Sequence, residues 1–405
     1  MHFYQFRNCV NFPPKANRQQ AGQKTMGGRA MPVVAKVLVV GGGIGGLAVA
    51  VGLKRHGIDV EIVELMQSSK VYHVGIIVQG NFLHALGRLG LAEKAIAAGF
   101  PHGGYHNFDV NNNHLFSPPP IQMGDGGFPA SLGMTRPALH EIQLQAVREM
   151  NIPMHLGITW KEIEVRGAGV RVTFTNGRID DYDLVVGADG WNSDLRRLLF
   201  GQENAPEFTG QGVWRYNIPR PNELRDMSLF RGKPGGTAGL VPITKDSMYV
   251  FYVCNEPGNP KFPPETLDAE LRKRLEGYKG PIEKVREQIT DANQVVYRPL
   301  WAGLSPAPWH KGRVVLLGDA VHASTPHLGQ GAALAVEDAV VLSEELDTAG
   351  SVEGALTNYV RRRFERCRQV VEGSRAIGDH EMNPDDGLDV STLFDRVSQT
   401  LAQPL

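Results

Sequence analysis

The segment VLVVGGGIGGLAVAVGLKRHGIDVEIVE, residues 37–64, narrows the possible folds more than any other part of the chain. Val37–Val40 predicts a strand buried on both faces, the habit of central parallel strands. The loop Gly41-Gly42-Gly43-Ile44-Gly45-Gly46 follows and satisfies G-x-G-x-x-G through Gly41, Gly43 and Gly46. A helix is then predicted over Leu47–His56, ended by Gly57, with a second strand over Asp59–Glu64. Gly41 permits the tight turn, Gly43 lets a pyrophosphate approach the backbone, and Gly46 lets helix and strand pack closely. The helix N-terminus offers unpaired N–H groups and the positive end of its dipole to phosphates. Glu64, 23 residues after Gly41, ends the second strand, where a carboxylate can accept hydrogen bonds from ribose hydroxyls. It would repel a 2′-phosphate, so FAD or NAD suits the loop better than NADP.

Val37–Leu53 is uncharged over 17 residues, but six of them are glycine, and a spanning helix needs about 20 apolar residues. No transmembrane segment is expected. Lys and Arg number 42 against 43 Asp and Glu, which argues against a nucleic-acid partner. Cys9, Cys254 and Cys367 are too few and too scattered for a disulfide framework or a metal cluster, so no metal is expected. A reducing, cytoplasmic location fits that usage. Residues 1–31 hold five basic residues, no acid and no continuous apolar run. They read as a disordered extension with initiation at Met26 or Met31, or as an acid-poor transit peptide, which the missing serines and Pro13-Pro14 argue against.

Two later stretches add to the first. Residues 183–199, DLVVGADGWNSDLRRLL, predict a buried strand, a turn at Ala188-Asp189-Gly190, and a helix capped near Asn192 or Ser193. Residues 312–342, GRVVLLGDAVHASTPHLGQGAALAVEDAVVL, predict a strand into Gly318-Asp319, a His/Pro/Gly loop, and a long helix from Gly331. Together the three motifs resemble the FAD-dependent aromatic hydroxylases, single-component monooxygenases typified by para-hydroxybenzoate, salicylate and 6-hydroxynicotinate hydroxylases. The resemblance runs from about Val33 to Gly350. It implies an α/β fold in which a Rossmann-like FAD-binding domain is interleaved with an antiparallel β-sheet substrate domain, followed by C-terminal helices. The FAD-binding domain would comprise residues 32–105, 132–205 and 294–350, and the substrate domain 106–131 and 206–293. Residues 351–405 would form a C-terminal helical segment.

The resemblance also assigns residues. Gly41, Gly43, Ile44, Gly45, Gly46 and Glu64 would meet the ADP half of FAD. Asp189 and Gly190 belong to a fingerprint associated with both FAD and pyridine nucleotide. Gly318 and Asp319 would hold the ribityl chain. Gly329, Gly331 and Ala332 would bring backbone to the isoalloxazine, with the amides of Gly331 and Ala332 aimed at its N1/O2 edge. Pro326 would lie beside the ring where oxygen reacts, and Arg136 would contact FAD. Val74–Asn81 matches a loop passing the flavin. Ala333 and Val321 depart from the usual asparagine and alanine, removing no charge.

Between the motifs, Asn176-Gly177 and Gly167-Ala168-Gly169 mark hairpins. Gly212–Ile218, Thr237–Ile243 and Ser247–Val253 alternate as strands, and helices are expected at 264–276 and 281–290. After Gly350 the pattern is helical over Val352–Arg375, then polar. Substrate-binding candidates are Trp214, Arg215, Tyr216, Tyr249 and Tyr252. Trp214 and Tyr216 share one strand face and Arg215 the other, and either could meet the substrate. Catalytic candidates are His73, Arg215, Tyr216 and Pro326, while His322 and His327 suit structural roles in the flavin loop.

The implied chemistry is reduction of FAD by transient NADH or NADPH, then hydroxylation of a small aromatic or heteroaromatic substrate with O₂ through a flavin C4a-hydroperoxide. The protein could be a monomer or a homodimer. Three other readings stay open: a flavin-dependent halogenase, since Trp214–Pro219 comes one residue from W-x-W-x-I-P; an isoprenoid-type flavin reductase; and a non-catalytic FAD-binding protein.

Overall fold

A computed structural model describes residues 32–68, 73–118, 127–232 and 236–405, with the backbone of two short strands at Thr25–Met26 and Arg29–Ala30. The rest of the expected extension, and the short segment containing Lys70, lie outside the described residues.

The valine-rich strand runs over Lys36–Val40 and is wholly buried from Val37 onward. It lies inside a six-stranded sheet ordered Met154–Leu156, Asp59–Glu64, Lys36–Val40, Leu184–Gly187, Val314–Leu316, His310–Lys311. The first five strands are parallel and the last closes the edge antiparallel. Each core strand is a run of branched aliphatics because helices cover both faces of a parallel sheet. The first helix begins at Ile44, a turn earlier than its apolar pattern suggests, and runs to Arg55. Gly45 and Gly52 share one of its faces, and Cβ atoms there would meet Leu317 and Ser343 at 3.0 and 2.5 Å. Their missing side chains let the long helix Gly331–Thr348 pack directly against it.

A second, seven-stranded sheet is ordered Val296–Leu304, Glu207–Pro219, Ser247–Asn255, Gly236–Pro242, Met227–Arg231, Tyr105–Asp109, His114–Phe116. It is antiparallel except where Met227–Arg231 runs parallel to Tyr105–Asp109. Val296–Leu304, expected in the FAD-binding part, is instead an edge strand of this sheet, paired with Glu207–Pro219. Helices Leu267–Arg274 and Pro281–Gln288 cover the outer face, where Leu271, Leu275, Ile282 and Val285 pack on Trp214, Tyr216, Ile218, Leu240, Val250 and Tyr252.

The inner face turns toward the six-stranded part. A three-stranded sheet, Gly75–Gln79, Ser131–Thr135 and Phe100–His102, lies against it. The expected flavin-passing loop is therefore a strand. A Cβ on Gly75 would stand 1.9 Å from the Tyr249 ring, and one on Gly133 1.9 Å from the Pro242 carbonyl, so two glycines let the sheets touch. The hairpins read at Gly167 and Asn176-Gly177 form a separate sheet of Trp160–Arg166, Gly169–Phe174 and Ile179–Tyr182.

The C-terminal region differs from expectation. The helix runs on to Met382, and the supposed polar tail contains a further helix, Val390–Ala402, with Leu393, Val397 and Leu401 buried. Those three residues recur at i, i+4 and i+8, one stripe of an amphipathic helix. No helix among the described residues is long and apolar enough to cross a membrane.

Candidate active site

At the first loop, Gly41 has φ +111°, and a Cβ on Gly46 would stand 1.9 Å from the Gly41 carbonyl oxygen. The turn thus excludes side chains at both ends. Between them, Gly43 faces open space: no heavy atom lies within 4 Å of where its Cβ would be. Gly43 also N-caps the helix Ile44–Arg55 without any side-chain cap. An open approach to free amides at a helix start is the cradle a pyrophosphate needs. Glu64 turns both carboxylate oxygens onto backbone, accepting from Gly42 N at 2.7 Å and Met66 N at 2.8 Å. It secures the loop while keeping lone pairs free for a ribose.

Arg136 opens the helix Arg136–Glu149, which Thr135 caps by accepting from Ala138 N at 3.2 Å. On the same helix, His140 Nε2 donates to the Gly42 carbonyl at 3.0 Å and Gln143 Nε2 to the Ile44 carbonyl at 2.9 Å. These clamps on the glycine loop escaped the sequence reading; only their i, i+3 spacing hints that they share a face. Asp189 Oδ2 accepts from Leu195 N at 3.1 Å and its Oδ1 is buried without a partner. Burial raises its carboxyl above the usual range, with Ser193 and the local amides opposing. Ser193 caps the helix Asp194–Phe200, accepting from Arg196 N at 2.8 Å, and Gly190 takes φ +78°.

The third motif closes the cradle. Asp319 is exposed, yet the protein around it raises its carboxyl, with His322 and Arg136 pulling the other way. A Cβ on Gly331 would lie 3.2 Å from Ser324 Oγ and 3.9 Å from Asp319 Oδ1, so the carboxylate and the start of the long helix are neighbours. That helix also has no side-chain cap, leaving the amides of Gly331 and Ala332 available. Pro326 begins a 3₁₀ turn, Pro326–Leu328, ended by Gly329 at φ +66°. Gln79 Nε2 donates to the Leu328 carbonyl at 2.7 Å, Gln330 Nε2 to Gln79 Oε1 at 2.6 Å, and Asn81 Nδ2 to Gln330 Oε1 at 2.9 Å. The strand Gly75–Gln79 thereby ties the loop Thr325–Gln330 in place.

Beneath the loop, Asp338 is fully buried. It accepts from Gly318 N at 3.0 Å and Arg363 Nε at 2.7 Å, and stands 2.5 Å from His322 Nε2. These cations hold its carboxyl far below the usual range despite burial, and His322 is correspondingly raised. Glu337 pairs with Arg363 and Arg366, both at 2.8 Å. Cys367 joins His322 and Asp338 within 4.8 Å. Arg363 and His322 already occupy that carboxylate, so the cluster is an ionic network of structural type.

The inner face of the seven-stranded sheet decides what the sequence left open. Arg215, Asn217, Tyr249 and Phe251 alternate with the outward residues, and cross-strand pairs Arg215–Phe251 and Asn217–Tyr249 set them side by side. Trp214, Tyr216 and Tyr252 are corrected: they face the covering helices. Trp214 donates Nε1 to Glu256 at 3.0 Å and lies under the Arg274 guanidinium at 4.4 Å. Among the described residues, neither Arg215 nor Arg136 has a hydrogen-bond or ion-pair partner for its guanidinium. Burial, then Arg136, pushes Arg215 down to about 10; burial pushes the Tyr249 phenol up to about 12 against the pull of both arginines. His73 is exposed, and among the described residues its carbonyl accepts from Asn217 Nδ2 at 2.6 Å.

A Rossmann-like sheet with a phosphate cradle, a second cradle at Gly331 and a facing β-sheet define a flavoprotein of the monooxygenase type. Residues 34–374 match the family model for the FAD binding domain, and the chain belongs to that family of FAD-dependent monooxygenases. It is 32% identical over 343 residues to the aurachin C monooxygenase/isomerase of Stigmatella aurantiaca, covering 84% of this chain and 88% of that one. It is also 32% identical over 348 residues to the 2-heptyl-3-hydroxy-4(1H)-quinolone synthase of Pseudomonas aeruginosa (strain UCBPP-PA14), again covering 84% and 88%. Among solved structures, Klebsiella pneumoniae HpxO complexed with FAD and uric acid superposes with a TM-score of 0.80 at 26% identity. That match covers 91% of this chain and 93% of that one.

Proposed function

We propose that the protein uses NADH or NADPH and O₂ to hydroxylate a small aromatic or heteroaromatic substrate that carries a negative charge. The supporting observation is Arg215: a half-buried guanidinium without a partner among the described residues, on the inner sheet face beside Arg136 and the Tyr249 phenol. An unpaired buried cation is costly, and an anionic ligand relieves that cost. The similarity to HpxO, solved with uric acid, is consistent with an acidic ring substrate.

Arg215 orients the anion, Tyr249 stays protonated near neutral pH and donates a hydrogen bond, and Asn217 and Phe251 line the ring. Asp319, Arg136 and the amides of Gly331 and Ala332 hold FAD, with the glycine loop and Glu64 on its adenylate side. Pro326 borders the reacting face. Bound FAD supplies the electron transfer and oxygen activation; one oxygen atom enters the ring and the other leaves as water. The FAD-binding portion is assigned to residues 32–105, 132–205 and 305–350, and the substrate portion to 106–131 and 206–304. The free thiols of Cys254 and Cys367 are consistent with a cytoplasmic setting, as a monomer or homodimer.

The test is NAD(P)H oxidation by the FAD-loaded protein with a panel of phenols, aminoaromatics and heteroaromatic acids. An anionic ring compound should accelerate oxidation and yield an oxygenated product. Arg215→Gln should raise its KM about tenfold or more with FAD retained. Product from neutral rings alone would overturn the charge assignment, and no oxygenated product from any compound would overturn the activity.

A further inference from the structure

His327 and Glu381 come from parts of the chain with no evident link in sequence. His327 follows Pro326 in the flavin loop; its side chain is 3% exposed, and its Nδ1 shares a 2.8 Å hydrogen bond with Thr325 Oγ1. Glu381 lies in the last turn of the helix Val352–Met382. Its Oε1 accepts from Arg231 Nη1 and from Thr237 Oγ1, both at 3.0 Å. Arg231 and Thr237 are cross-strand partners on neighbouring strands of the seven-stranded sheet. Through the pairs Thr237–Val253 and Val253–Val213, Thr237 shares the inner face with Arg215.

The other carboxylate oxygen faces the loop. Glu381 Oε2 and His327 Nε2 stand 3.4 Å apart, and neither buried atom has another hydrogen-bond partner among the described residues. Gly378, one turn back on the same helix, makes the room: a Cβ there would lie 2.8 Å from His327 Cε1 and 2.6 Å from Gln211 Oε1. A buried carboxylate oxygen and a buried imidazole nitrogen, each without alternatives, are costly apart and favourable when Nε2 carries the proton and donates it.

We propose that His327 and Glu381 are positioning residues for the flavin. Glu381, held by Arg231 and Thr237, latches the loop Thr325–Gly329 to the substrate-facing sheet through His327. The latch sets where Pro326 stands and where the long helix begins, hence how the flavin ring meets the inner face. It touches neither substrate nor cofactor. It rests on FAD binding at this loop and is independent of the substrate's charge.

Double-mutant analysis tests it. His327→Gln and Glu381→Gln, singly and together, are titrated as FAD-free proteins with FAD by flavin fluorescence. The peroxide released per NAD(P)H oxidised is measured on the loaded proteins. Each single variant should bind FAD about tenfold more weakly and release a larger share of peroxide. In the double variant two amides can bond each other, so its loss should not exceed that of either single variant. Single variants that bind FAD within about twofold of the parent, or losses that multiply in the double variant, overturn the proposal. Melting of the FAD-free proteins separates loop positioning from general destabilisation: a latch shifts FAD affinity with little change in the FAD-free melt. Should Glu381→Gln not fold, His327→Gln decides by the same twofold criterion.

Discussion

Gly43 and Arg215 show the two ways a residue acts here. Gly43 matters for the space it leaves: its missing Cβ points where no protein atom lies within 4 Å. Gly43→Val should therefore clash with the cofactor but not with the fold. The expected outcome is a protein that melts within about 1–2 kcal/mol of the parent when FAD-free yet loses its yellow colour on desalting. A fully FAD-loaded variant would refute the cradle. This role was legible because G-x-G-x-x-G is local, and strand, turn and helix follow within ten residues of one another. Arg215 was legible only as a candidate. Alternation along a strand says that Arg215 and Trp214 part company, but not which side is covered by helices. That depends on Leu271, Leu275, Ile282 and Val285 packing against the Trp214 side.

At the scale of the element, the long helix Gly331–Thr348 does two jobs. Its N-terminus leaves uncapped amides at the proposed flavin site, and its body is buried between the first helix and the helix Val352–Met382. Burial of Glu337 and Asp338 in that body is tolerable only because Arg363, Arg366 and His322 surround them. Asp338→Asn should cost about 3–5 kcal/mol, since it leaves Arg363 and His322 without their carboxylate in a dry interior. Urea unfolding checks this, and an unchanged midpoint would mean the network contributes little. FAD retention should fall too, because Asp338 accepts from Gly318 N, immediately before Asp319. From sequence, VEDAVV reads only as part of the long helix from Gly331. The arginine partners of Glu337 and Asp338 lie 25 to 29 residues away on another helix, too far for any local pattern to pair them. The C-terminal helix Val390–Ala402 was missed for a related reason: its stripe is only three leucine and valine residues wide and needs the neighbouring helix to give it a buried side.

For the whole molecule, the decisive feature is that two sheets meet face to face through glycines, so phenols and cations are drawn into their junction and into the sheet's outer core. Burial raises Tyr249, Tyr252 and Tyr297 to about 12 from an ordinary 10.0. A raised acid favours the neutral folded state. That stability is fully present below the unfolded value and is lost as pH rises from about 10 toward 12. The urea midpoint should accordingly decline above about pH 10, and a flat midpoint through that range would contradict it. The sequence by itself determined the cofactor: phosphate loops, helix starts and the Gly-Asp turn are short-range devices whose backbone geometry is written in adjacent residues. Only the tertiary structure decided which sheet face the helices cover and which they leave uncovered, which buried charges pair, and that a loop histidine and a helix-end glutamate stand opposite each other. Those outcomes depend on side chains brought together across 16 to 150 residues, and only packing selects their partners.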